Sequence, residues 1–105
     1  MQYNKLVRDK IPEIIERNGD SAKVHTASDD EYFKKLKEKL SEEVKEFSKE
    51  ESEEELADIL EVIEAISDFK KFDKSKVLSI KESKAIKSGK FSKRLVLEET
   101  KNNKK

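Results

Sequence analysis

Residues 41–66, SEEVKEFSKEESEEELADILEVIEAI, decide how this chain folds. They read as two helices joined by a tight turn near residues 50 and 51. Their carboxylates fall where solvated carboxylates do not. At about 100° per residue, Tyr32, Phe33, Leu36, Leu40, Val44 and Phe47 gather into one apolar arc. Glu43 lies inside that arc and Glu46 on its border. The second helix repeats the anomaly: Leu56, Ile59, Leu60, Val62, Ile63, Ile66 and Phe69 form a broad apolar face, and Glu55 and Asp58 lie within it.

The two anomalies match. Residue numbers 46 and 55 sum to 101, as do 43 and 58. An antiparallel hairpin therefore sets Glu46 opposite Glu55 and Glu43 opposite Asp58. Four carboxylates converging between two helices repel one another and lose hydration, at several kcal/mol per buried ion, so they require compensation. Protonation, basic partners or a divalent cation can supply it. No Lys or Arg of either helix falls well inside the arcs, and a hard cation with oxygen ligands suits carboxylates best. The expectation is a metal site made by Glu43, Glu46, Glu55 and Asp58.

Working outward, the 105 residues predict one small domain over residues 1–98 and a disordered basic tail over 99–105. With 33% hydrophobic and 46% charged residues, a lone monomer buries little apolar surface. The face of the second helix is too wide for one neighbour, which predicts a homodimer or higher homo-oligomer. There is no cysteine, so disulfides and thiolate metals are excluded. No apolar run approaches a membrane span and the start MQYNKLVRDK does not resemble a signal peptide, so a cytoplasmic location is expected. Residues 29–64 carry 6 basic and 15 acidic groups, whereas residues 65–105 carry 13 basic and 5 acidic ones. The net charge of zero argues against general nucleic-acid binding.

Along the chain, Val7, Ile11, Ile14 and Ile15 predict a first helix beginning near Asp9, with Pro12 in its first turn and Asn18-Gly19 as its stop. Residues 22–27 (AKVHTA) predict an extended segment, and the lone His25 receives no role. Ser28 to Glu31 and Ser52 to Glu55 have capping-box spacing and open the two hairpin helices. Capping and metal ligation thus compete for Glu55. A last helix starts at Asp73 or Ser75 and ends at Gly89; Leu95-Val96-Leu97 suggests a short strand pairing near Val24. The fold class is all-α: a helical hairpin core, flanking helices and a minor two-stranded pairing.

Two acidic pairs at i, i+3 on facing helices suit Mg²⁺, with Mn²⁺ as a substitute. Such an ion polarises a phosphoryl oxygen and orients an attacking water. Basic candidates to clamp remaining phosphate charge are Lys5, Arg8 and Lys10 at one end, and Lys87, Lys90, Lys93 and Arg94 at the other. No P-loop glycine pattern is present, which argues against a kinase or motor ATPase.

Glu42-Glu43-Val44-Lys45-Glu46 followed by Glu55-Leu56-Ala57-Asp58 resembles the E-E-x-x-E … E-x-x-D signature of the all-α nucleoside triphosphate pyrophosphohydrolases. That group includes MazG-type enzymes, phosphoribosyl-ATP pyrophosphohydrolases and dimeric dUTPases. With the opening Tyr3-Asn4-Lys5-Leu6-Val7-Arg8-Asp9-Lys10-Ile11-Pro12, the chain is most similar to a small MazG-like subgroup labelled phosphoribosyl-ATP pyrophosphohydrolase-like. The resemblance implies Mg²⁺-dependent cleavage of a nucleoside triphosphate to monophosphate and pyrophosphate, including removal of noncanonical nucleotides. It implies Glu43, Glu46, Glu55 and Asp58 as metal ligands, with Glu42 beside them or positioning water. Two departures stand out. Only eight residues separate Glu46 from Glu55. Where the family's tail resembles R-G-G-F before a basic pair, this chain has Ser88-Gly89-Lys90-Phe91 before Lys93-Arg94, without an arginine's bidentate grip at that point. The alternatives are a non-catalytic helical interaction module and a true phosphoribosyl-ATP pyrophosphohydrolase of histidine biosynthesis.

Overall fold

The computed structural model describes residues 3–102 and holds four helices and no strand among them. Part of the tail expected over 99–105 lies outside those residues. The chain divides into two compact units, Met1–Phe72 and Asp73–Lys105.

The first unit is built on the hairpin of α2 (Asp29–Lys49) and α3 (Glu53–Phe69). Both helices start where a serine caps an orphan amide. The Ser28 hydroxyl accepts from the Glu31 amide at 3.3 Å, and Ser52 accepts from the Glu55 amide at 3.2 Å. The two glutamates do not complete the box with their own side chains. Glu31 is instead held 2.9 Å from His25 Nε2, and Glu55 turns into the space between the helices, with one oxygen unpartnered.

The predicted register is realised at the far end of the hairpin. Tyr32 and Phe69, whose numbers also sum to 101, meet edge to face with ring centroids 5.2 Å apart. Phe33 stacks on Phe69 at 5.6 Å, and the Lys37 and Lys70 ammonium groups lie over the Phe33 ring. Between this aromatic clasp and the acidic end, Leu36 and Val62 are buried at 2% and 8% exposure, and Glu43 is as buried as Val62. A charge therefore occupies a core position.

In the same unit, α1 (Ile11–Arg17) begins two residues later than expected. Asp9 and Lys10 form a turn closed by the Ile11 amide on the Arg8 carbonyl at 3.0 Å, which leaves Pro12 in the first turn. Asn18 caps the end, and Gly19 takes φ +92°, a left-handed conformation that glycine adopts without a Cβ penalty.

The second unit contains α4 (Lys74–Ser88), capped by Asp73 on the Lys76 amide and closed at Gly89 with φ +86°. The expected two-stranded pairing is not formed: residues 22–27 and 95–97 are irregular, and Leu95, Val96 and Leu97 are at least 80% exposed. An isolated pair of short strands with no third strand to pack on has little independent stability, and local helix capping has no counterpart there. Among the described residues, no helix is long and apolar enough to cross a membrane.

Candidate metal centre

The hairpin gathers three of the four expected acids. Glu43, Glu55 and Asp58 each offer a carboxylate oxygen, and these oxygens lie within 4.8 Å of one another. Glu43 comes from the middle of α2. Glu55 and Asp58 are one turn apart near the start of α3, so both face α2. Glu46 is not drawn in: its side chain is half exposed and leans toward Lys49 at 4.0 Å. It sits on the border of the apolar arc, where rotation into solvent costs little.

Glu55 carries the tension of the site. Its Oε2 is buried without a hydrogen-bond partner. Loss of hydration pushes its carboxyl above the ordinary range, and the negative charges of Asp58, Glu43, Glu46 and Glu50 push it the same way. A buried acceptor left unpaired is expensive unless a proton or a cation occupies it.

Basic groups meet the other acids, and they come from outside the apolar arcs. Lys39 reaches Glu43 at 3.3 Å along α2, its aliphatic stem letting the charge arrive from a flanking position. Arg8 Nη2 binds Asp58 Oδ1 at 2.9 Å while its Nη1 binds Glu61 at 3.3 Å. Lys5 Nζ sits 3.0 Å from Glu42 Oε1. The Lys5 hydrogen bond lowers the Glu42 pKa against partial desolvation, with Lys39 helping, and the Lys5 pKa rises in return. Sequence periodicity missed Lys39 and Glu61 because it reports Cα positions and not the reach of a long side chain.

The remaining expected residues divide. Lys10 is the N-cap of α1, is exposed, and ion-pairs with none of these carboxylates. Lys87 is in the last turn of α4, and Lys93 and Arg94 follow it in the second unit, where Arg94 takes φ +58°. A shallow depression along α2 includes Glu42, Lys45 and Glu46 but none of the three clustered acids.

The donor set fits a hard divalent cation. It consists of carboxylate oxygens only, three from two helices, one of them with an unsatisfied buried oxygen.

A stretch of 42 residues, 40% of this chain, is 52% identical to an uncharacterised protein of Mycolicibacterium smegmatis. The match spans 43% of that protein, less than half its length. No family model matches the chain, and no solved structure matches it. The likeness brings no activity with it.

Proposed function

We propose that the protein is a Mg²⁺-dependent nucleoside triphosphate pyrophosphohydrolase, with Mn²⁺ as a substitute ion, that clears noncanonical nucleotides in the cytoplasm. The observation that carries this reading is the unpartnered, buried Glu55 Oε2 within the cluster of Glu43, Glu55 and Asp58. These three residues would hold the ion, with Glu46 able to join by a change of rotamer. The bound ion would supply charge neutralisation at the phosphate oxygens and lower the pKa of water. Glu42, next to a ligand and held ionised by Lys5, is the residue to orient the attacking water and accept its proton. One water adds across the anhydride between the α and β phosphates, giving monophosphate and pyrophosphate. Lys5 and Arg8, beside the acids, would meet the phosphate charge.

The resemblance of the acidic motifs to the pyrophosphohydrolase signature supports the same reading. Self-association belongs to it as well, supported by Leu56, Leu60 and Ile63, which share one face of α3 and are 48%, 58% and 47% exposed.

One observation favours a second reading, a non-catalytic helical interaction module. Lys39, Arg8 and Lys5 already offset much of the acidic charge without an ion. Pyrophosphate release from a nucleotide panel with Mg²⁺ separates the two. Turnover of at least one nucleotide is expected, and Asp58→Asn should lower it by on the order of a hundredfold while the helical circular dichroism is kept. Full activity in that variant would refute the ligand assignment. A folded wild type with no turnover and no calorimetric Mg²⁺ binding would establish the module.

A further inference from the structure

The segment before α1 is fastened to the hairpin almost entirely by charge. Residues 3–10 are exposed except for half-buried Leu6, so little apolar contact holds them. The Asn4 carbonyl, on a left-handed residue at φ +49°, accepts from Lys35 Nζ of α2 at 2.6 Å. Lys5 pairs with Glu42 of α2 at 3.0 Å, and Arg8 bridges Asp58 and Glu61 of α3. The arm thus crosses both helices and is pinned at their acidic residues. Exposed ion pairs are individually weak and screened by salt, so this strap can open without disturbing the hairpin core.

Arg8 touches Asp58, and Asp58 belongs to the three-carboxylate cluster. A divalent cation held there would place two positive charges close to the guanidinium and draw on the same carboxylate. The two compete for its negative charge even where they use different oxygens. We infer that Arg8 is a built-in counter-ion of the acidic hairpin, displaced from it when a divalent cation binds. The inference rests on the metal reading above and adds to it an order of events. Without the ion, Arg8 offsets part of the acidic charge at Asp58 and Glu61. With the ion bound, the guanidinium is released and becomes available to an incoming phosphate. The two roles of Arg8, partner of Asp58 and phosphate clamp, then belong to successive states.

The test uses the full chain and Mg²⁺ alone. Calorimetry should give Mg²⁺ affinity about fivefold tighter for Arg8→Gln than for wild type, the factor expected from removing one competing exposed pair. Lys10→Gln removes the same charge two residues away without touching the acids, and should leave the affinity nearly unchanged. The Arg8 side chain should report its own release, its guanidinium NMR signals moving toward those of a free arginine in the wild type once Mg²⁺ is added. Equal or weaker Mg²⁺ binding by Arg8→Gln overturns the competition, as do Arg8 guanidinium signals that Mg²⁺ leaves unmoved. An equal gain in Lys10→Gln reduces the effect to net charge and overturns it too. If neither wild type nor Arg8→Gln binds Mg²⁺, the metal reading itself fails and the competition with it.

Discussion

At the scale of single residues, Glu55 sets the behaviour of the site. Its carboxyl is raised from the ordinary value of 4.5, first by lost hydration and then by neighbouring negative charge. The folded protein therefore holds this proton more tightly than the unfolded chain. Between the ordinary value and the raised one the unfolded state is ionised while the folded state is not, so stability falls as pH rises through that window. Glu42 runs the other way: the Lys5 hydrogen bond lowers its pKa, and its contribution is present above the ordinary value and lost as pH falls through the lowered one. In metal-free protein, Glu55→Gln should remove the penalty and raise the thermal midpoint at pH 7. The difference between variant and wild type should vanish on acidification below the ordinary glutamate range. Melting curves across pH check this, and a variant less stable than wild type at pH 7 would show that the Glu55 charge is already compensated. Added Mg²⁺ should raise the wild-type midpoint and leave the variant's almost unmoved.

At the scale of elements, the hairpin depends on where α3 starts. The Ser52 hydroxyl fixes the Glu55 amide, and thereby the phase at which Glu55 and Asp58 face Glu43. Ser52→Ala should cost about 1 kcal/mol of unfolding free energy, readable from urea titration, and should weaken Mg²⁺ binding because the first turn of α3 frays. Ser28→Ala should cost a similar amount and leave Mg²⁺ binding intact, since α2 runs about 22 Å from its cap to Glu43. The hairpin was legible in the sequence for a simple reason. Apolar spacing gives the phase of each helix, and the short serine-capped turn leaves one register, which the Tyr32–Phe69 contact obeys. What was not legible depends on side-chain reach and on non-local pairing. Glu46 and Glu43 differ by one row on the helix surface, and only packing decides that Glu43 is buried while Glu46 leans toward Lys49. Arg8 lies 50 residues from Asp58, and no periodicity announces their contact. The strand expected over 95–97 failed because its apolar residues needed a partner strand that the chain does not supply.

At the scale of the whole molecule, the core is thin for the charge it carries. Leu36 and Val62 are the buried hydrophobic residues among those described, whereas Leu56, Leu60 and Ile63 leave a continuous strip of α3 half uncovered. Apolar surface is worth about 25 cal/mol per Å² when removed from water, so covering this strip with a second hairpin would contribute more than any exposed ion pair of the chain. Two substitutions distinguish the inner face from the outer one. Leu36→Ala empties a fully enclosed position and should destabilise the fold by about 2–5 kcal/mol whatever the state of association. Leu60→Glu alters a residue that a single chain leaves 58% exposed, so a monomeric protein should tolerate it with little change. In an oligomer the same glutamate would be buried against an apolar partner and would break the contact. Sedimentation equilibrium should therefore show the wild type as a dimer or larger and Leu60→Glu shifted toward monomer, with helical content kept. A wild type that sediments as a monomer at all concentrations would make the α3 strip an ordinary exposed face.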